Sequence, residues 1–425
     1  MSSEQHTHTP KITFKRILTC LGPGLIAGAA DDDPSGIATY SIAGAQFGFS
    51  MLWTSLLTWP LMAAVQMMCA RIGMVTGRGL AFGLKKKFPR SLVVAAAIAL
   101  LAANIINIGA DLAGMADAIE MLSGTTSHFW VVLLAAGISW ATVQLRYTHI
   151  ANTLKWLAVF LFAYVLSAFV VKPDWHAVAM AFVLPTLPRS AAQWQTLVAI
   201  LDTTISPYLF FWQASQEVEE EKASGRRTRR QRRGATADEI LDRKLDVGIG
   251  TFFSNMVMFS IMVTTAATLH AHGVTEIETS RQAAEALRPI AGDGAVLLYT
   301  MGIIGVGLIA IPTLSGSAAY ALAEVFGWRQ GLDEKAGKAR AFYAVVLLAT
   351  AAALALDFSN VNPVRALYWT AVINGLLAPV LLFGILAVAV DRNIMVGQPS
   401  SGLGRAVVAV TAIIMSIAAI AMFLF

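Results

Sequence analysis

The chain has 425 residues, of which 56% are hydrophobic and 13% charged, with a mean hydropathy of +0.64 and a formal net charge of +5. Soluble proteins carry roughly twice that charged fraction, about 25%. The composition therefore excludes an ordinary soluble domain and describes an all-α polytopic membrane protein. The only cysteines, Cys20 and Cys69, lie in separate apolar runs, and no Cys/His spacing suits zinc, so neither a disulfide framework nor a structural zinc site is expected.

Apolar runs long enough to cross a hydrocarbon core of about 30 Å recur along the chain. Eleven spans are predicted, near residues 17–41, 46–70, 92–119, 128–146, 151–171, 193–215, 246–269, 293–325, 341–356, 364–390 and 404–424. Residues 16–30 imitate a secretory signal, but the apolar pattern resumes after the acidic cluster that follows, so no cleavage is expected. With the N-terminus inside, the cytoplasmic loops receive 26 of the 31 Lys and Arg, leaving only Lys172, Arg189, Arg281, Arg288 and Arg365 outside. That asymmetry predicts a cytoplasmic N-terminus and an external C-terminus. The run "RRTRRQRR" at 226–233 reads as a topology-setting loop that touches anionic lipid, not as a nucleic-acid site.

Two spans are interrupted. In the first, "DDDPSG" places Asp31, Asp32 and Asp33 before Pro34 and Gly36. In the sixth, "LDTTISPYLFFWQASQE" places Asp202, Thr203, Thr204 and Ser206 before Pro207. Proline removes a helical donor and disfavours helix at the residue before it. Irregular backbone at membrane depth is tolerated only against protein or a wet cavity. Interruptions at matching places in two halves of the chain point to a midplane binding site in a secondary transporter. Carboxylates surrounded by hydroxyls and freed carbonyls describe an oxygen-rich cation site. The alternative is that Asp31–Asp33 cap a helix at the membrane surface. Against it, about 14 apolar residues precede Asp31, too few to cross.

The stretch "GPGLIAGAADDDPSGIATYSIAGAQFGFSMLW" resembles the first helix of NRAMP-type divalent metal transporters, whose break reads Asp-Pro-Gly-Asn. "GADLAG" at 109–114, "GLIAIPTLSGSAAYALAEVFGW" and "APVLLFGILAVAVDRNIMVG" resemble the third-, eighth- and tenth-helix patterns, so the likeness runs over about residues 15–400. It implies a LeuT-type fold: a 5+5 inverted repeat plus one further helix, with helices 1 and 6 broken. The expected division is a cytoplasmic tail at 1–16, a transporter domain at 17–400 with repeats near 17–172 and 193–391, and a last helix at 401–425. It also implies residence in the plasma (inner) membrane of a prokaryote.

The departures from that family pattern carry the functional expectation. Asp33 matches the metal-binding Asp, but Gly36 stands where the pattern has Asn. Ser206-Pro207-Tyr208 replaces Met-Pro-His, and Thr203 takes the place of the alanine whose carbonyl binds metal. Thioether sulfur favours softer transition metals, so its replacement by a hydroxyl suits Mg2+. Smaller residues widen the site, and Mg2+ commonly keeps several waters. These changes resemble the NRAMP-related magnesium transporters.

The expected metal ligands are accordingly Asp33, Thr203 and Ser206, with Asp31, Asp32, Gly36, Asp202, Thr204, Tyr208 and Gln213 as further lining. Asp31, Asp32 and Asp202 either draw cations inward or pair locally, and Thr204 is expected to face away from Thr203. Tyr208 and Gln213 occupy places where the family pattern has histidines, and Gly114 stands where it has Glu. Asp111 is either the remainder of a proton relay or a packing acid with a polar partner. None of the seven histidines lies near the middle of a span, which removes the side chain that titrates most readily near neutral pH.

The expected activity is uptake of partly hydrated Mg2+, with Mn2+ as a further cargo, by alternating access without proton coupling. The expected partners are the divalent ion and the lipid bilayer, with no resident cofactor and a monomeric chain. The alternatives are a proton-coupled Mn2+/Fe2+ transporter and a Na+-coupled amino-acid transporter. An intramembrane aspartyl protease using Asp33 and Asp111 lacks a Gly-x-Gly-Asp pattern, so no enzyme is expected.

Overall fold

The computed structural model describes residue 16 and residues 22–145, 161–277, 279–358 and 362–424, and every element among them is helical. In chain order the principal helices are α1 (Pro23–Asp31), α2 (Pro34–Phe47), α3 (Trp53–Thr76), α4 (Arg90–Ser123), α5 (Ser127–Gln144), α6 (Phe162–Val170), α7 (Ala191–Thr204), α8 (Pro207–Ala223), α9 (Ala237–Thr268), α10 (Ala295–Phe326), α11 (Arg340–Asp357), α12 (Pro363–Ala389) and α13 (Gly402–Leu424). Among the described residues, seven helical segments are long and apolar enough to cross a membrane, those of α3, α4, α5, α9, α10, α12 and α13. The other predicted spans fall on the broken pairs α1–α2 and α7–α8, on the shorter apolar α11, and on α6. Cys20 and the opening of the fifth predicted span, residues 151–160, lie outside the described residues.

Prolines place the two breaks. Pro34 cannot donate to the Ala30 carbonyl, so α1 stops at Asp31; Asp33 then turns extended, with ψ 171°, and Pro34 takes the first helical position of α2. Pro207 does the same to α7: Ser206 is extended, with ψ 128°, and Pro207 opens α8. Proline's fixed φ suits the start of a helix as well as it ends the preceding one.

The packing is reciprocal. α9 lies along α1 and α2, α3 lies along α8, α10 crosses α4, and α12 covers α7 and α2. The second long helix of each half thus rests on the broken pair of the other half, as two similar units of opposite orientation would arrange it. Close approach of α1 to α9 depends on small residues. A Cβ at Gly28 would come within 2.4 Å of the Gly250 carbonyl oxygen, and one at Gly24 within 2.7 Å of the Val247 backbone nitrogen. Only glycine fits at either place.

Candidate metal site

Where the two breaks meet, five acids are almost fully inaccessible: Asp31, Asp32, Asp33, Asp111 and Asp202, none more than 4% exposed. Among the described residues none of them pairs with Lys, Arg or His. Asp31 and Asp33 act on each other electrostatically, as do Asp33 with Asp111 and Asp202 with both Asp31 and Asp33. Buried like charges without a basic partner require compensation from outside the chain.

The acids are held by hydroxyls and amides. Asp33 caps α2: its Oδ1 accepts from the Gly36 N–H at 2.8 Å and the Ser35 hydroxyl at 2.6 Å, while Oδ2 accepts from Asn107 Nδ2 at 3.2 Å. Asp33 therefore caps a helix, but buried at the break and not at a membrane surface. Ser206 Oγ donates to the Asp202 carbonyl at 2.7 Å and lies 3.2 Å from Asp31 Oδ1. Ser254 Oγ on α9 lies 3.2 Å from Asp31 Oδ2 and 3.1 Å from Asp32 Oδ1, and its one proton serves only one of them. Asp32 Oδ2 and Asp202 Oδ1 have no hydrogen-bond partner. No donor meets hydrogen-bond geometry at either Asp111 oxygen, although the Ser35 backbone N–H bears on it electrostatically.

The remaining sequence candidates divide. The Thr203 hydroxyl turns back to the Ala199 and Ile200 carbonyls, and the Thr203 carbonyl accepts from the Tyr40 hydroxyl at 3.2 Å. Thr204 bonds back to Ile200 at 2.9 Å. Tyr208 reaches across the break to the Ala30 carbonyl at 2.8 Å. A Cβ at Gly36 would lie 3.2 Å from the Asp31 carbonyl oxygen and 3.4 Å from the Tyr40 ring, so the glycine keeps that carbonyl open. Gln213 is joined to Glu217, through Nε2 and Oε1 at 2.7 Å, and so belongs to the polar cluster at the far end of α8. At Gly114 an added Cβ would come within 3.0 Å of Leu367 Cδ1, so a leucine fills the space where the family pattern puts a carboxylate.

Tyr40, Asn107 and Ser254 take part in the site without having been flagged by the sequence. Asn107 had a usable signal, because it precedes Asp111 by four residues on one helix and so shares its face. Ser254 had none beyond being a polar residue in an apolar span. A cavity of about 230 Å³, lined by Ile42, Gln46, Gln195, Glu276, Arg365 and Tyr368 among others, borders the first turns of α7. The Tyr368 hydroxyl, which lines that cavity, lies 3.0 Å from Thr196 Oγ1, seven residues before Thr203 on α7.

Two broken helices meeting at buried polar breaks belong to the LeuT-type fold. The solved structure of Mhp1, a nucleobase-cation-symport-1 family transporter in a closed conformation, superposes with a TM-score of 0.54 over 95% of this chain and 91% of its own, at 14% identity. The manganese transporter of Eremococcus coleocola superposes with a TM-score of 0.76 over 99% of this chain and 90% of its own, at 16% identity. At these identities the likeness speaks for the fold. The family described as natural resistance-associated macrophage protein-like, Nramp, matches residues 24–425, and the chain belongs to it. Relatives named divalent metal cation transporter MntH share 28% identity. The one from Yersinia enterocolitica aligns over 74% of this chain and 76% of its own length, and the one from Pectobacterium carotovorum over 72% and 73%.

Proposed function

We propose that this protein carries divalent metal cations across a prokaryotic inner membrane, taking up partly hydrated Mg2+, and Mn2+ as a further cargo, without proton coupling. The observation that carries this reading is the chemistry of the break: buried carboxylates, hydroxyls and freed carbonyls, no basic partner among the described residues, and Ser206 where the family pattern has a sulfur donor. Hard oxygen ligands suit Mg2+, and the absence of a thioether removes the preference for softer ions. Asp33, Thr203 and Ser206 are the proposed central contacts, with Asp31 and Asp202 supplying further charge.

The cytoplasmic N-terminus and external C-terminus place Arg226–Arg233 inside the cell, and the chain acts as a carrier, not an enzyme. A potential of 100 mV is worth about 2.3 kcal/mol per elementary charge, hence about 4.6 for a divalent ion. That drives roughly a thousandfold accumulation or somewhat more, enough for an abundant cation without a second gradient. The MntH relatives are named divalent metal cation transporters, and a second reading, proton-coupled Mn2+/Fe2+ transport, stays within that class. Purified protein in liposomes carrying a pH dye separates the two. Mg2+ entry under an inside-negative potential, without acidification and lost in Asp33→Ala, is expected. Acidification that tracks metal entry overturns the uncoupled reading, and Mn2+ flux with no Mg2+ flux overturns the magnesium assignment.

A further inference from the structure

The long helix α4 presents three polar residues to the centre of the bundle, and they are not equally employed. Asn104 Nδ2 donates to the Leu314 carbonyl at 2.8 Å and lies 2.9 Å from Ser317 Oγ, locking α4 to α10. Asn107 gives Nδ2 to Asp33 Oδ2, yet its own Oδ1 has no partner. Asp111, one turn further along the same face, has no side-chain donor at either oxygen, and the Ser35 backbone N–H is the donor turned toward it. Both residues are buried, at 2% and 0% exposure. Asp33 acts electrostatically on Asp111. The result is a set of buried acceptor oxygens that outnumber the donors facing them, Asn107 Nδ2 and the Ser35 backbone N–H. One turn beyond, Leu367 covers Gly114 and clusters with Ala38 and Ala110, so the acceptors border an apolar wall.

Buried acceptors in excess of their donors call for a proton, a water or a cation. Two carboxylates and one amide oxygen are all hard ligands, and protein sites for Mg2+ commonly use one or two carboxylates while the ion keeps its remaining waters. We infer that Asn107 Oδ1, the Asp111 carboxylate and Asp33 Oδ2 form a second station for a hydrated divalent cation, beside the one between the broken helices and joined to it through Asp33. The inference rests on the reading that the chain carries such cations. The station accounts for why Asp111 sits in a place that supplies it no counter-charge.

The test is equilibrium binding of Mn2+, an oxygen-tolerant paramagnetic probe, to the full chain in detergent or nanodiscs. The wild type is expected to bind two equivalents, and Asp111→Asn and Asn107→Leu one each. Equal stoichiometry in the wild type and both variants overturns the station. Crystals of the wild type soaked in Mn2+ provide a measurement that needs no variant: anomalous density beside Asp111 and Asn107 supports the station, and density confined to the α1–α2 and α7–α8 breaks overturns it. Binding is read without transport, so the two proposals fail separately. Two equivalents bound with no flux in liposomes sinks the transport reading alone, whereas flux with no loss of binding in Asp111→Asn sinks the station alone.

Discussion

The Tyr208 hydroxyl donates to the Ala30 carbonyl at 2.8 Å, and that carbonyl is the one Pro34 leaves without a helical partner. The opposite break is closed in the same way. Pro207 cannot donate to the Thr203 carbonyl, and Tyr40 of α2 supplies the missing hydrogen bond at 3.2 Å. Each broken helix is therefore capped by a tyrosine from the other, which couples their positions as well as satisfying buried backbone. Tyr208→Phe and Tyr40→Phe are each expected to lower stability by about 1–3 kcal/mol, the usual consequence of an orphaned buried acceptor. Thermal unfolding in detergent measures this. Added Mg2+ is expected to recover more of the loss in Tyr40→Phe, because the freed Thr203 carbonyl is a proposed ligand. Equal recovery in both variants would argue that the cation does not use it.

Ser206→Met tests the donor chemistry. Ser206 is 4% exposed and its hydroxyl faces Asp31, so a thioether there would meet the same ion path. The ratio of Mn2+ to Mg2+ transport is expected to rise by about tenfold, corresponding to about 1.4 kcal/mol of altered preference. Competition between the two ions in liposomes gives that ratio directly. An unchanged ratio would remove softness as the basis of selectivity.

The fold was legible because its signals are strong and local. Apolar length announces the spans, and Pro34 and Pro207 announce the breaks within a residue or two. The acids of the site were legible for a related reason, since charge inside an apolar run stands out. Their partners were not. Ser254 lies 223 positions from Asp31, and Tyr40 lies 163 positions from Thr203, so neither pairing leaves a periodicity to read. The partner of Gln213 was not legible either, because its bond to Glu217 depends on an ion-pair cluster built by α8 and α9 together.

That cluster supports a third prediction. Arg243 on α9 pairs with Glu217 at 2.8 Å and contacts Glu220 and Asp246. Asp246 in turn accepts the backbone N–H groups of Gly22 and Gly24, at 2.8 and 2.7 Å, and so caps the first turn of α1. Nearby, Arg16 binds Asp238 and Asp242 at the start of α9. The arrangement latches the outer end of α1, the piece whose other end carries Asp31. Arg243→Ala leaves Glu217 and Asp246 buried without a cation, and breaking such a set by removing one partner typically costs about 3–5 kcal/mol. Faster hydrogen exchange at Gly22 and Gly24 is expected with it. Glu220→Gln, at a side chain 48% exposed, is expected to have a much smaller effect. If exchange at α1 does not change in Arg243→Ala, the cluster does not hold that helix.

The contact between α1 and α9 offers the sharpest steric test, because two glycines of the same region differ in what surrounds them. At Gly28 an added methyl would sit 2.4 Å from the Gly250 carbonyl oxygen, and backbone cannot yield as a flexible side chain can. Gly28→Ala must push α1 away from α9, and with it Asp31 and Asp32 away from Ser254. Overpacking of this kind costs about 1–3 kcal/mol or more, and metal uptake is expected to fall with it, since the acids move as well. Gly248, also on α9, has nothing within 4 Å of an added Cβ. Gly248→Ala is therefore expected to be neutral or stabilising by about 0.5–1 kcal/mol, because alanine loses less freedom than glycine in a helix. Unfolding temperatures and Mg2+ flux measured side by side decide the matter. Similar behaviour of the two variants would mean that the close approach of α1 to α9 does not set the position of the acids.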